Sequence, residues 1–275
     1  MRFTSIGSGS RGNGTLICHG GEGSILLDCG FSARDTLGRL AERGVGADDL
    51  AGILVTHEHS DHIKGVARLA NQCRVPVYTT WGTYCGGLQG QLDEALLRCI
   101  EPDACFMLAG LSVQAVPVPH DAREPCQFVL SSADARLGVL SDCGSITRVM
   151  LEHYRHCDAL MLECNHDLRM LAEGPYPPQL KRRVAGAKGH LSNEQALEFL
   201  NQVGHAGLQH VVVTHISQKN NLPELALKAL AGSRYCNPVS LKVAHQQTGL
   251  DWIVLQSRSG TDAGQGRQIP LNFEF

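Results

Sequence analysis

His57-Glu58-His59-Ser60-Asp61-His62 follows directly on the apolar run Ile53-Leu54-Val55-Thr56, and no other stretch of the 275 residues limits the possible folds so strongly. Three imidazoles and carboxylate chemistry within six residues exceed what an ordinary turn needs. Ala51 to Val55 is short, apolar and β-branched, which reads as a buried strand. The segment from Ile63 to Cys73 has helical apolar spacing at Ile63, Val66, Ala67, Leu69 and Ala70. The histidines therefore sit at the carboxyl end of a strand, where open sheets place ligand sites. His57 and His59 can turn toward one point while Asp61 and His62 reach a second from the next turn. Such a loop suits two neighbouring metal ions.

Two metals need more ligands than one loop supplies. Zinc commonly takes four, with one position open or water-filled in catalytic sites. A two-metal hydrolase also wants a shared carboxylate, its ions lying roughly 3.5–4 Å apart. Further metal-liking residues stand at strand ends. The run Leu111 to Val118 ends in Pro119-His120-Asp121, Leu137 to Leu140 ends in Ser141-Asp142, and His210 to Thr214 ends in His215. Scattered surface histidines would not repeat this placement.

With these residues in view, the chain resembles the metallo-β-lactamase superfamily. His57-x-His59-x-Asp61-His62 is similar to its signature loop, and Asp28 in Leu26-Leu27-Asp28-Cys29-Gly30 to its early structural aspartate. The resemblance implies that His57, His59 and His120 bind one metal and Asp61, His62 and His215 the other, with Asp142 bridging. An aspartate at the bridging position, in place of cysteine or serine, matches the hydrolase branches that hold two metals. Asp121 and Glu58 stay outside this set, Glu58 being read as solvated or as lying behind the ligands.

Further motifs narrow the resemblance: Ser8-Gly9-Ser10-Arg11-Gly12-Asn13, Glu163-Cys164-Asn165-His166-Asp167, Pro175-Tyr176-Pro177, Leu180-Lys181-Arg182-Arg183, Gly189-His190-Leu191-Ser192-Asn193 and Thr214-His215-Ile216-Ser217. In this order they resemble the YycJ/WalJ group, whose members are similar to 5′→3′ DNA exonucleases, over roughly Met1 to Leu255. Glu163 with Gly189-His190 also resembles the Glu/His pair of tRNase Z enzymes, in which the histidine helps move protons at the scissile phosphate. No long insertion like the extra domain of the β-CASP nucleases is present, nor a tRNA-gripping arm, which weighs against tRNA as substrate.

The resemblance thus implies a dinuclear phosphodiesterase acting on nucleic acid, DNA rather than RNA, as a 5′→3′ exonuclease. Two divalent ions, Zn²⁺ or Mn²⁺ with Fe²⁺ also suited to the ligands, would acidify a bridging water to hydroxide and hold a phosphate oxygen. Asp61 would both ligate metal and accept a proton from that water. His190, oriented by Glu163, would protonate the departing sugar oxygen or contact phosphate; a packing role is the alternative. The competing enzyme is a small-molecule metallo-hydrolase cleaving a thioester, lactone or cyclic phosphodiester. Seven metal ligands argue against a purely binding protein.

Composition sets limits. Hydrophobic residues make up 43% of the chain, enough for one α/β domain over residues 1–256, followed by a Gly/Ser-rich, charged tail at 257–275 in which Ile269 to Phe275 docks back. No window approaches a membrane span, and Met1 to Gly7 begins with a strand pattern in place of a signal peptide. Eleven cysteines without Cys-x-x-Cys spacing, among them Cys18, Cys29, Cys105, Cys126 and Cys143 beside apolar runs, read as reduced core thiols of the cytoplasm. The net charge of −3 offers no general attraction for nucleic acid, although Lys181, Arg182 and Arg183 cluster with Lys188 nearby. Aromatics at 5% leave little stacking surface, which keeps the small-molecule reading open.

Strand patterns fall at Phe3 to Gly7, Thr15 to His19, Ser24 to Asp28, Gly52 to Thr56, Val75 to Thr79, Leu111 to Val118, Gln127 to Ser131, Leu137 to Ser141, Ala159 to Cys164, Val211 to Thr214, Ser240 to Val243 and Trp252 to Leu255. Helical patterns fall at Ala33 to Arg43, His62 to Cys73, Ile146 to Tyr154, Gln179 to Ala185, Asn193 to Gln202 and Leu225 to Ala231, with Ser192 and Gln195 forming a capping box. The alternation alone equally fits an ordinary parallel α/β sheet. The αββα sandwich, two mixed sheets flanked by helices, is what the resemblance implies. His166 is placed near the cleft or in a local turn, and His153, His156, His205 and His210 as surface or packed residues.

Overall fold

In the computed structural model, residues 1–235 and 240–257 are described; the expected tail lies outside them from position 258 onward. Side chains alternate along each strand between two apolar environments, and this alternation builds the layers. The first sheet contains β1 (Arg2–Gly7), β2 (Gly14–Cys18), β3 (Ser24–Leu27), β4 (Leu50–Leu54), β5 (Val77–Thr79) and β6 (Leu97–Cys99). The second contains β7 (Cys105–Leu108), β8 (Leu111–Pro117), β9 (Cys126–Ser131), β10 (Arg136–Leu140), β11 (Ala159–Glu163), β12 (His210–Thr214) and β13 (Leu241–Val243). A last strand, β14 (Ile253–Val254), returns to the first sheet and pairs antiparallel with β1.

The spatial orders are β14-β1-β2-β3-β4-β5-β6 and β13-β12-β11-β10-β9-β8-β7. Each sheet is antiparallel on one side and parallel on the other: pairing turns parallel at β3–β4 in the first and at β10–β11 in the second. The helices are α1 (Ala33–Glu42), α2 (Ser60–Ile63), α3 (Val66–Cys73), α4 (Trp81–Thr83, running into a π-helical turn at Tyr84–Leu88), α5 (Arg148–Tyr154), α6 (Leu168–Glu173), α7 (Pro178–Val184), α8 (Asn193–Val203) and α9 (Pro223–Leu230).

Three apolar clusters fill the spaces between layers. Phe3, Ile17, Ile25, Leu27 and Leu54 from the first sheet meet Val113, Phe128, Leu130, Leu137, Val139, Met161 and Val212 from the second. Their strand neighbours point the other way. Ile6, Leu16, Leu26 and Ile53 pack with Leu40, Val66 and Leu69 of α1 and α3. Val129, Leu140, Leu160, Leu162, Val211 and Val213 pack with Met150, Tyr154, Phe199, Leu200 and Leu230 of α5, α8 and α9. Each fully buried large side chain contributes about 1.5–3 kcal/mol. The result is the helix–sheet–sheet–helix sandwich.

The expected helix from His62 to Cys73 is broken in two, because Gly65 sits where the chain meets Cys29 and Phe31. A Cβ there would lie 2.3 Å from the Phe31 carbonyl oxygen and 2.6 Å from Cys29 Sγ. The Gly65 amide donates to the Cys29 carbonyl in place of continuing a helix. The short edge strands β6 and β7 and the short helices α4 and α6 have too few periodic residues to stand out in the sequence. The capping box at Ser192 forms as expected, Ser192 Oγ accepting from the Gln195 amide and Gln195 Oε1 from the Ser192 amide. Among the described residues no helix is long and apolar enough to cross a membrane.

The cysteines divide by environment, and no disulfide joins those described. Cys29, Cys126 and Cys143 are buried as expected, whereas Cys105, on β7, is exposed and Cys18 is half-buried. Burial pushes the Cys29 thiol up to about 12, with Asp28 adding to the rise against the lowering bond to Thr36. Burial likewise raises Cys126 and Cys143. Iodoacetamide near pH 8 is therefore expected to modify Cys99 and Cys105 in the native protein and to spare Cys29, Cys126 and Cys143 until denaturant is added. Peptide mass mapping checks this, and native labelling of Cys126 would contradict the packing described.

Candidate metal centre

The site forms where the parallel strands of both sheets end. Asp28 follows β3 in the left-handed region at φ 62°, which turns its carboxylate under the loop after β4. Its Oδ1 accepts from the Thr56 amide at 2.9 Å, and Oδ2 lies 2.7 Å from His62 Nδ1. The Thr56 hydroxyl donates to Asp28 and accepts from His57 Nδ1 at 2.9 Å. Gly30 then passes so close that a Cβ would fall 1.7 Å from the Asp61 carbonyl oxygen. Asn13 binds the same loop, its amide nitrogen donating to Asp61 Oδ2 at 3.4 Å while its Oδ1 accepts from the Gly9 amide.

Holding one ring nitrogen decides what the other can do. His57 gives Nδ1–H to Thr56, and His120 gives Nδ1–H to the Gly189 carbonyl at 2.9 Å. Both Nε2 lone pairs then face His59 Nδ1, at 3.0 and 3.2 Å. One nitrogen cannot donate to both, so three imidazoles converge with lone pairs in excess, as around a cation. A second focus lies between Asp61 Oδ2, His62 Nε2 and His215 Nε2, with separations of 3.7 and 3.4 Å from Asp61. Asp142, after β10, stands between the foci. Its Oδ2 is buried without a hydrogen bond although it lies 2.9 Å from His62 Nε2, and its Oδ1 lies 3.2 Å from His215 Nδ1. This orphaned oxygen and the converging nitrogens fit a pair of divalent ions, held by donor groups that cluster within ligating range.

Glu163, at the end of β11, is the counterpart of Asp28 in the second sheet. Its Oε2 accepts from the Cys143 and Leu191 amides, both at 3.1 Å. Its Oε1 accepts from His190 Nδ1 at 2.7 Å and His215 Nδ1 at 3.1 Å. His190 therefore keeps Nε2 for the cleft, which His190 lines together with Asp61, Asp142 and His215 in about 310 Å³. A larger hollow of about 410 Å³ lies at the far edge, around Met1, Arg2 and Gly20, away from the cluster.

Electrostatics separate the two halves. Burial, helped by the neighbouring imidazole of His62, holds His57 well below the ordinary histidine value, and burial lowers His120. At His62 burial is outweighed by Asp142 and Asp28, and at His190 by Glu163 and Asp142, so both lie well above it. His215 rises to about 9, as Asp142 and its bonds to Asp61 and Glu163 overcome burial. Against burial, His215 and His62 keep Asp142 well below the usual carboxylate range; His215 lowers Asp61 and His190 lowers Glu163. His57 and His120 thus favour the neutral imidazole, and the other half holds ion pairs that divalent cations replace on binding.

All the expected ligands meet here: His57, His59, Asp61, His62, His120, Asp142 and His215. Glu163 and His190 pair beside them. Glu58 lies behind the loop, its Oε1 accepting from the Arg123 amide. Asp121 is ion-paired with Arg183. His166 is buried and makes no side-chain hydrogen bond. Cys143 directs its thiol to the Ser145 carbonyl, consistent with packing. Sequence reasoning assigned no role to Asn13, Thr56 or Ser8, whose hydroxyl accepts from the His215 amide at 2.8 Å. Asn13 and Ser8 are the two ends of the Ser8-Gly9-Ser10-Arg11-Gly12-Asn13 motif, the one signal available.

A family model described as Beta-lactamase superfamily domain matches residues 24–216. The chain belongs to this superfamily and is a hydrolase of the metallo-β-lactamase fold. Within it the chain belongs to the YycJ/WalJ group. It is 33% identical to exodeoxyribonuclease YycJ of Bacillus anthracis over 82% of this chain and 86% of that one. To exodeoxyribonuclease WalJ of Streptococcus pneumoniae it is 30% identical, over 82% and 85%. Among solved structures, the metallo-beta-lactamase fold protein YhfI of Bacillus subtilis agrees in fold, with a TM-score of 0.68 at 19% identity, covering 91% of this chain and 99% of that one.

Removing Asp28 leaves the Thr56 amide and His62 Nδ1–H buried without their partner. The Asp28→Ala protein is expected to bind metal about 10–100-fold more weakly, as loss of a partner behind the ligands does elsewhere. Asp142→Ala and His59→Ala are expected to lose loading while keeping the native circular dichroism spectrum. Metal analysis after equilibrium dialysis reads all three, and full loading of Asp142→Ala would remove the bridging assignment.

Proposed function

We propose that the protein is a dinuclear metal-dependent phosphodiesterase that shortens DNA from its 5′ end. The observation that carries this reading is the Glu163–His190 pair beside Asp142. Esters and thioesters with good leaving groups depart without an acid, whereas a phosphodiester expels a sugar alkoxide that needs a proton. His190, raised by Glu163 and facing the cleft through Nε2, is a proton donor suited to that oxygen. Asp61, bonded to His215, would accept a proton from the attacking water. His57, His59 and His120 would hold one ion, Asp61, His62 and His215 the other, and Asp142 both. Such a pair of ions, when bound, supplies an acidified water and a Lewis-acid field.

The YycJ and WalJ relatives are exodeoxyribonucleases by name, which supports DNA over RNA. Imidazole and carboxylate donors support Zn²⁺ or Mn²⁺, with Fe²⁺ also accommodated. The thiols, none joined in a disulfide among those described, support a cytoplasmic setting. We read residues 1–256 as the single unit that carries the chemistry.

The test is a time course on 5′-phosphorylated, 3′-labelled duplex DNA, with the protein stripped and then reloaded with Mn²⁺ or Zn²⁺. Progressive metal-dependent shortening, absent in Asp142→Ala, is the expected result. An intact duplex under every metal would overturn the reading in favour of a small ester or cyclic phosphodiester. His190→Gln is expected to retain its metal and lose about 10²–10⁴-fold in kcat, the usual worth of a positioned acid; undiminished turnover would return His190 to a packing role.

A further inference from the structure

A second hollow adjoins the metal cleft. Tyr176, Arg183, Val184 and His190 line the cleft of about 310 Å³ and also this second hollow of about 140 Å³ behind them. Asp121, Leu180 and Gly189 line only the second. Residues shared by two hollows are the partition between them.

The partition is tied at both ends. Arg183, on α7, places Nε 2.5 Å from Asp121 Oδ2. Asp121 belongs to the loop after β8 and lies beside His120, its Oδ1 being 3.4 Å from His120 Nε2. The ion pair therefore straps α7 to the metal loop. Beneath it the His190 amide donates to the Val184 carbonyl at 2.9 Å. Gly189 permits that approach, since a Cβ there would lie 2.2 Å from both the Arg183 and Val184 carbonyl oxygens. Tyr176 completes the wall, with Lys219 Nζ 5.9 Å from its ring centroid.

We propose that the Arg183–Asp121 strap and Tyr176 make this hydrolase end-specific, by closing the cleft to a strand that would run past the metals. The inference rests on the nuclease reading and goes beyond it. The open part of the cleft accommodates a terminal nucleotide, and the wall stops a continuous strand from threading through. A chain end reaches Asp142 and His190, and an internal phosphodiester does not. The arginine side chain is 59% exposed, and exposed pairs contribute little to folding. Opening the strap should therefore leave the fold in place.

The experiment compares covalently closed circular duplex DNA with the same duplex linearised, using the Mn²⁺-loaded full chain. Wild-type protein is expected to degrade the linear form and to leave the circle. Arg183→Met, which removes the strap, and Tyr176→Ala, which removes the other part of the wall, are each expected to raise the circle-to-linear rate ratio by about tenfold or more, the scale of discrimination by a single contact. Arg183→Lys, which can still pair with Asp121, should stay close to wild type. A merely structural role would lower both rates and leave their ratio unmoved. Wild-type cleavage of the circle at the linear rate would overturn the proposal, as would both variants degrading linear DNA while sparing the circle. If wild type degraded neither form, the nuclease reading would fall and the wall's function with it.

Discussion

Once one nitrogen of an imidazole is held by a hydrogen bond, only the other is left for chemistry, and the centre is built on that constraint. Asp28 fixes His62, Thr56 fixes His57, Gly189 fixes His120, and Glu163 fixes both His190 and His215. Each anchor lies behind the ring it orients, so the free nitrogens point into one small volume. Two buried carboxylates do most of this, one at the parallel end of each sheet. Their burial is costly, and several hydrogen bonds to each offset that cost. Asp142 differs from both because its Oδ2 is left without a hydrogen bond.

The two sheets explain why the anchors meet. In both, pairing changes from antiparallel to parallel, so β3 and β4 in one and β10, β11 and β12 in the other run their carboxyl ends toward a common edge. Apolar residues between the layers fix that edge without contributing chemistry. The neutral half of the site, around His57 and His120, comes from loops of both sheets. The charged half, around Asp61, His62 and His215, does as well. Neither focus can form within one sheet.

Much of this was legible in the chain because the ligands stand next to strong strand patterns. Ile53 to Thr56, Leu137 to Leu140 and Val211 to Thr214 are apolar enough to announce strands, and the polar residue following each is then conspicuous. The roles of Glu163 and His190 came through resemblance, since neither has a local pattern that separates it from an ordinary buried pair. Asn13 and Ser8 act through contacts across the molecule, as Thr56 does in binding Asp28, and local spacing carries no trace of those. The same holds for Gly65, whose break in the helix depends on Cys29 and Phe31. Cys105 looked internal because apolar neighbours follow it, but a strand at the rim of a sheet exposes residues that a central strand would bury. The four-layer arrangement was not readable from alternation alone, which an ordinary parallel sheet satisfies equally.

The return of β14 to β1 brings Arg2 and Phe3 together with Val254 and Ile253. Around that seam, Gln246 Oε1 accepts from the Arg11 amide at 2.8 Å and its Nε2 donates to the Gly12 carbonyl at 2.9 Å. The Ser8 amide donates to the His245 carbonyl. The segment that carries Ser8 and Asn13 to His215 and Asp61 is thus held in place by residues synthesised some of the last in the described chain. During translation the β3–β4 core and the His57 loop leave the ribosome early, whereas the brace that completes the second focus arrives only with Gln246. Pairings of such long sequence separation form slowly. A growing chain would therefore carry its histidines exposed to cellular metal well before it has a finished cage for them.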